Sequence, residues 1–122
     1  MTKKIITIFI SCFIFISLTF AQDIKCDDLI NYIEKEGRYI ESVNAIQLLT
    51  STWLKEIVAY SIENTIVVIA KIQQNQFSTK KYIFCGIPKS NWNNFYVGIN
   101  DMSKTYGERF HKYIIDYQCN CY

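Results

Sequence analysis

The first 21 residues are the sequence feature that most constrains the fold of this chain. They determine which part of the chain folds and in which compartment it folds. Two lysines precede an uncharged, almost wholly apolar stretch at residues 5–20, and Ala21 supplies a small residue for cleavage. This order is typical of a signal peptide. The stretch is 16 residues long, short of the roughly 20 that span a bilayer. We therefore predict a periplasmic or secreted protein, with residues 22–122 as the folding unit and no stable membrane insertion after cleavage.

Removal of the signal peptide changes the charge balance of the chain. The whole sequence has 13 Lys and Arg against 11 Asp and Glu, and two of those lysines lie in the signal peptide. The remaining 11 basic and 11 acidic residues give a formal net charge of zero. Affinity for nucleic acid rests largely on excess positive charge. The balance therefore disfavours nucleic acid as a partner, although Lys80, Lys81 and Lys89 lie close together in the sequence.

Four cysteines remain in the mature chain, and an even number in a small exported domain predicts two disulfide bonds. They are Cys26, Cys85, Cys119 and Cys121. A bond between Cys119 and Cys121 would close a very small, strained ring. The sequence therefore favours one bond from this C-x-C pair to Cys26 and another to Cys85. Two alternatives stay open: a redox-active C-x-C pair, and a metal site that includes His111.

The strand pattern predicts a three-stranded antiparallel meander. Glu63 and Asn64 form a plausible tight turn between the first two strands, residues 73–80 predict a polar loop, and Pro88 ends the third strand. Residues 39–49 are ambiguous and predict an irregular segment or a short strand. Three segments have the β-branched and aromatic composition of strands: residues 53–62, 65–72 and 81–87.

Helical periodicity appears before and after the strands. Residues 26–37 have apolar positions at helical spacing, acidic residues at the start and Gly37 at the end. Ser90 predicts the N-cap of a short helix, and residues 106–117 carry an apolar stripe on one face. The predicted class is α+β: an N-terminal helix, the meander, and two C-terminal helices packed on one face of the sheet.

Three segments, taken in order, resemble the KTSC domain, a small module named after the C-terminal region of some lysyl-tRNA synthetases. The resemblance covers about residues 50–117 and leaves residues 22–49 as an N-terminal helix and connector. Thr52 and Phe84 depart from the Ser and Tyr of the family pattern. The segments are Ser51-Thr52-Trp53-Leu54-Lys55-Glu56-Ile57 leading to Tyr60, Tyr82-Ile83-Phe84-Cys85-Gly86-Ile87-Pro88, and Gly107-Glu108-Arg109-Phe110-His111-Lys112-Tyr113-Ile114.

The resemblance implies a domain at residues 50–122, with the C-x-C tail lying beyond the family pattern. The function of the family is essentially unknown, and RNA binding is the suggestion that the synthetase association implies. An exported chain with no excess positive charge fits RNA poorly. RNA binding therefore enters only as an alternative, and the fold alone does not carry a function.

No arrangement of residues in the sequence demands catalysis, a cofactor or a metal. Ser51 and His111 are about sixty residues apart, and no nucleophile-elbow motif surrounds the serine. Aromatic residues offer a different candidate site, since Tyr82 and Phe84 share one face of a predicted strand. Together with Trp53 and Trp92 they form either core or an exposed binding platform.

We therefore expect a non-enzymatic, disulfide-stabilised binding module with no cofactor and no metal. Its expected partner is a protein at the cell envelope or outside the cell; an immunity-type protein that masks a toxin is one specific version. RNA binding is the main alternative, and thiol redox chemistry at Cys119 and Cys121 is a weaker one.

Overall fold

A four-stranded antiparallel sheet with helices on both faces is the framework of this protein, seen in a computed structural model that describes residues 24–122. The predicted signal peptide lies outside the described residues. The α+β class is confirmed, but the prediction of three strands is wrong. In sheet order, the strands are β1 (Arg38–Val43), β2 (Leu54–Ile62), β3 (Thr65–Asn75) and β4 (Ser78–Ile87).

The strand that the sequence left ambiguous is β1, which pairs with β2 at one edge of the sheet. Its register shifts between Tyr39 and Glu41, so one extra residue interrupts the alternation of apolar and polar side chains. Tyr39 is exposed and Val43 is fully buried. An edge strand with a bulge has neither regular alternation nor a continuous apolar run. The sequence pattern therefore does not identify it as a strand.

Residues 73–80 are not the predicted polar loop. Strand β3 continues to Asn75 and β4 starts at Ser78, so only Gln76 and Phe77 form the turn. Most of these side chains are exposed, and the pairing is made by the backbone. The hairpin therefore extends beyond the part of the sheet that the core covers. The predicted tight turn between β2 and β3 is present, with positive φ at Glu63 (50°) and Asn64 (62°), as a two-residue hairpin loop requires.

Helix α1 (Cys26–Glu36) packs on one face of the sheet, where it buries Ile30 and Ile33 against Val67, Ile69 and Ile83. Asp27 and Asp28 lie in its first turn, next to the positive end of the helix dipole. The helix ends where the Gly37 N–H donates to the Ile33 carbonyl at 2.8 Å. The prediction for this element holds at both ends.

The opposite face carries the larger core. Helices α2 (Lys89–Tyr96) and α3 (Tyr106–Tyr113) pack there, as predicted for the two C-terminal helices. Helix α2 starts directly after Pro88 and has no side-chain cap, so Ser90 is not the N-cap. Helix α3 is shorter than predicted, because Ile114 leaves helical geometry and a 3-10 turn (Ile115–Tyr117) follows. The largest fully buried side chains of this face are Trp92, Phe84, Phe95, Phe110, Leu48, Leu54 and Ile57.

A capping box that the sequence analysis missed starts α3. The Glu108 N–H donates to the Thr105 hydroxyl at 3.2 Å, and the Thr105 N–H donates to the Glu108 carboxylate at 3.1 Å. This reciprocal pair satisfies two N–H groups that a helix start leaves free. It also fixes the point at which the chain turns back across the sheet.

Candidate functional site

The C-terminal tail, residues 118–122, is covalently bonded to two elements of the fold. Cys26 bonds to Cys121 and Cys85 bonds to Cys119, with Cα–Cα distances of 5.1 Å and 4.9 Å. The structure thus contains the two disulfide bonds that the sequence predicts, and each cysteine of the C-x-C pair reaches back separately. A redox cycle between Cys119 and Cys121 would need a different pairing from the one in this fold.

Backbone hydrogen bonds continue the same connection. The Cys119 N–H donates to the Ile83 carbonyl of β4 at 3.2 Å, and Gln118 forms a bridge to Phe84. At the end of the tail, the Tyr122 N–H donates to the Ile24 carbonyl at 3.1 Å. The tail therefore lies between the outer edge of β4 and the start of α1.

Strand β4 forms one edge of the sheet, and the tail covers only part of it. Because the Ile83 carbonyl bonds to the tail, Ile83 presents its backbone groups outward. Backbone groups in an antiparallel ladder alternate between the two sides of a strand. Lys81 and Thr79 therefore also present theirs outward, and no strand of residues 24–122 pairs with them there. This stretch is an open strand edge.

A groove of about 400 Å³ lies where this open edge, the start of α1 and the tail meet. The two disulfide bonds border it, since Cys26, Cys119 and Cys121 all line it. The remaining lining residues are Asp27, Lys80, Lys81, Tyr82, Ile83, Gln118 and Tyr122. Tyr82, which the sequence singled out as part of a binding platform, is the one aromatic residue of that platform found here.

The charges of the groove differ in their availability. The Lys81 ammonium lies 2.8 Å from the Glu34 carboxylate, and this hydrogen bond raises the pKa of Lys81. The Lys80 ammonium lies 5.3 Å from the centre of the Tyr82 ring and forms no ion pair within residues 24–122. Lys80 is thus the cation at the groove that has no carboxylate partner in the described chain, while Asp27 adds one negative charge.

The predicted aromatic platform does not assemble. Phe84 and Trp92 are each 1% exposed, because Phe84 lies on the face of the sheet that α2 and α3 cover and Trp92 is the α2 residue that packs into the same core. The Trp92 indole N–H donates to the Glu41 carboxylate at 2.7 Å, which satisfies its one polar group. Trp53 is half-buried, with its ring 5.7 Å from that of Phe110. Tyr82 is half-buried against the main core, and its hydroxyl donates to Gln74 at 3.2 Å.

The three segments that resemble the KTSC pattern meet in the main core. Phe110 packs edge-on against Phe84, with 5.1 Å between ring centres, and against Trp53. A Cβ on Gly107 would lie 3.3 Å from the Ser51 hydroxyl and 3.2 Å from the Trp53 indole nitrogen. The glycine thus allows the start of α3 to approach the β1–β2 connection closely. These contacts stabilise the fold.

Ser51 and His111 each have identifiable contacts in the fold. The buried Ser51 hydroxyl accepts a hydrogen bond from the Leu54 N–H at 3.1 Å. His111 is exposed and packs against the Trp53 ring, 5.0 Å between centres. Within residues 24–122, no three His, Cys, Asp or Glu side chains lie close enough together to hold a metal ion.

Neither family models, curated proteins nor solved structures match this chain. Among the described helices, none is long and apolar enough to cross a membrane.

Sequence reasoning missed the groove although it predicted part of its wall. The C-x-C spacing, with both cysteines bonding elsewhere, already required the tail to lie between α1 and the strand of Cys85. Gln118 and Tyr122 line the groove only because of that path. Asp27 was noted only as an acid at a helix start and Lys80 only as one of three nearby lysines, and neither pattern indicates a groove.

Proposed function

We propose that this protein is an exported, disulfide-stabilised binding module that takes an extended segment of a partner protein into the groove beside β4. The partner is a protein at the cell envelope or outside the cell. The observation that supports this is the open edge of β4 at the floor of a groove bordered by two disulfide bonds. The proposed role is binding, without catalysis.

Strand addition explains how such a groove gains affinity. An extended peptide that pairs with an exposed strand edge obtains main-chain hydrogen bonds, and pockets beside the edge select its side chains. Thr79 and Lys81 offer outward backbone groups for this pairing. The volume of about 400 Å³ falls in the range of about 300–1,000 Å³ typical of ligand pockets.

The disulfide bonds support binding by holding the groove in one shape. Ordering of mobile chain segments reduces affinity, and a site that is fixed beforehand avoids that cost. Cys119 and Cys121 are both bonded to other elements, so the tail wall is fixed at two points. In this proposal, the Lys80 ammonium meets an acidic side chain of the bound segment.

RNA binding receives no comparable support. A site for single-stranded nucleic acid needs several phosphate contacts and stacking surfaces. At the groove, Lys81 is paired with Glu34 and Asp27 adds a negative charge. Phe84 and Trp92, which would have provided stacking surfaces, are in the core.

The outward N–H of Lys81 provides a sharp test. Lys81→Pro removes that N–H without removing a hydrogen bond to β3, and proline is tolerated where a strand N–H faces solvent. Lys81→Ala is the matched control, because it loses the same ion pair with Glu34 and keeps the N–H. A photo-crosslinking amino acid at Lys80 reports the partner in cells of the producing organism, and one at Ser42 on β1 reports background.

We expect a discrete protein adduct from position 80 in the wild-type background and with Lys81→Ala, and its loss with Lys81→Pro. Position 42 should give no such adduct. Equal adducts from Lys81→Pro and Lys81→Ala, with both variants folded, would show that strand addition at β4 is not how the protein binds.

A further inference from the structure

Six large apolar side chains stand in solvent on three loops of this protein. Each of them is between 57% and 90% exposed. Exposed apolar residues scattered singly are ordinary, whereas a group of them marks an interaction surface. The six are Ile46 and Leu49 after β1, Phe77 between β3 and β4, and Val97, Ile99 and Met102 between α2 and α3.

These three loops lie at the same end of the fold. In an antiparallel meander, the β1–β2 and β3–β4 connections leave the sheet at one end and the β2–β3 turn at the other. The Asn91 side chain at the start of α2 donates to the Tyr113 carbonyl at the end of α3 at 3.1 Å. The loop between the helices is therefore at the far end of this pair, where Gly107 contacts Ser51 and Trp53 of the β1–β2 connection. We call these three connections the loop end.

The loop end is almost free of charge. Residues 44–54 and 72–79 contain no Asp, Glu, Lys or Arg, and residues 90–103 contain only Asp101. Asp101 is 7% exposed and bonded to Lys112 and Tyr113. Charged residues make up 20% of the whole chain, so a surface built from three such stretches is selectively depleted of charge.

Lysines border the uncharged stretches. Lys55 follows the first stretch, Lys71 and Lys80 flank the second, and Lys104 follows the third. The acids nearest to them in the sequence are Glu56, Asp101 and Glu108. Asp101 is paired with Lys112, so Glu56 and Glu108 leave the four lysines in excess. The charge pattern is thus an apolar tip with a mainly positive border.

Local hydrogen bonds hold the apolar side chains outward. Asn44 and Gln47 bond to each other's backbone N–H groups at 3.1 Å and 3.0 Å, while Leu48 between the exposed residues is buried. In the hairpin turn, the Phe77 N–H donates to the Asn75 side chain at 2.9 Å. Local hydrogen bonds therefore order these loops, and burial of the apolar side chains in the core does not.

We propose that the loop end docks reversibly on an anionic lipid surface, inserting these side chains at the level of the headgroups. A bilayer surface deforms around apolar side chains on separate loops, whereas a protein partner needs a matching cavity for each. Lysines beside an inserted apolar surface gain attraction from anionic headgroups. The border of positive charge disfavours a second copy of this chain as the occupant, because two such borders would repel each other.

The exported protein with its disulfide bonds intact is mixed with vesicles of phosphatidylcholine, with and without phosphatidylglycerol, and bound protein is measured by co-sedimentation. We expect binding to the anionic vesicles at low salt and its decrease at high salt. The triple variant Leu49→Ser, Phe77→Ser, Ile99→Ser should lose at least about tenfold in partition coefficient, since binding scales with the apolar area inserted.

The matched control is Tyr32→Ser with Tyr39→Ser, which removes exposed aromatic residues of α1 and β1; it should retain binding. Equal binding by the triple variant and the control, or no binding to anionic vesicles at low salt, overturns the proposal. A protein adduct from a photo-crosslinker at Ile99, without vesicle binding, would assign the loop end to a protein instead. Lys81→Pro leaves the loop end unchanged, so loss of groove binding with retained vesicle binding separates this inference from the proposed function.

Discussion

At the scale of single residues, Arg109 shows how this fold accommodates a buried charge that has no acidic partner among residues 24–122. The side chain is 7% exposed, and its Nε donates to the Phe95 carbonyl at 2.8 Å. Its Nη1 donates to the Lys104 carbonyl at 3.2 Å, and the guanidinium lies 4.3 Å from the centre of the Tyr106 ring. The Phe95 carbonyl near the end of α2 and the Lys104 carbonyl in the loop before α3 thus take the place of a carboxylate.

Gly98 makes room for this guanidinium, and its replacement is the first prediction. Gly98 has φ of 70°, and a Cβ there would lie 2.6 Å from Cζ of Arg109. We expect Gly98→Ala to lower the free energy of unfolding by about 2 kcal/mol or more, from the left-handed backbone together with the displaced guanidinium. Urea denaturation measures the change.

Gly86→Ala is the matched control, because Gly86 has φ of 66° and, among residues 24–122, no atom beyond its two chain neighbours lies within 4 Å of its Cβ position. It carries only the backbone cost of about 1–2 kcal/mol. Equal losses of stability in the two variants would show that a side chain at the Gly98 position is not restricted by Arg109.

At the scale of elements, Asp101 fastens the α2–α3 loop to helix α3. Its carboxylate accepts hydrogen bonds from the Tyr113 hydroxyl and, at 2.9 Å, from the Lys112 ammonium. These bonds, with Tyr113 the larger contributor, lower the pKa of Asp101 below its ordinary value of 3.8. The loop that carries Val97, Ile99 and Met102 therefore has an ionised anchor at neutral pH.

The second prediction concerns the pH dependence of this anchor. A group whose pKa is lowered by folding stabilises the protein above its ordinary pKa, and the stabilisation is lost as the pH falls through the lowered value. We expect wild type to be more stable than Asp101→Asn at neutral pH, and the difference to shrink progressively below about pH 4. Urea denaturation of both proteins across this range measures the difference.

Comparing the two proteins cancels the titration of Glu108, whose pKa is also lowered, mainly by its hydrogen bond with the Thr105 backbone. A difference that stays constant down to about pH 2 would show that the Asp101 charge does not stabilise the fold.

The elements also show where sequence patterns carry information. Helix α1 was predictable because Ile30 and Ile33 face one side of a regular helix. Strand β1 was not, since its bulge at an edge breaks the alternation, and the β3–β4 extension was not, since solvent surrounds both faces near Phe77. Backbone hydrogen bonds keep such segments in the sheet regardless of their side chains. The candidate groove was half predictable. The C-x-C pair required the path of the tail, whereas the patterns that include Lys80 and Asp27 did not indicate a groove.

At the scale of the whole molecule, the two disulfide bonds are nested. The bond Cys85–Cys119 closes 34 residues and lies inside the bond Cys26–Cys121, which closes 95. Breaking one bond does not release the tail, because the other bond still holds it. Together they connect α1, the tail and the edge of the sheet.

The third prediction is that each bond contributes strongly to stability. We expect replacement of either cysteine pair by serine to lower the free energy of unfolding by about 4 kcal/mol, in the view that the bond restricts the unfolded chain. Because domains have about 5–15 kcal/mol in total, the variant lacking both bonds should be largely unfolded. Urea denaturation of the three variants checks this, and a loss below about 1 kcal/mol for either pair would contradict it.

The meeting of Ile24 and Tyr122 has a practical consequence for anyone who labels this protein. Their backbones are hydrogen-bonded, and Tyr122 itself lines the groove, so an affinity tag fused after Tyr122 would emerge beside the groove. The Glu63–Asn64 turn lies at the opposite end of the sheet from the loop end and is exposed. An epitope inserted there would leave both the groove and the loop end accessible.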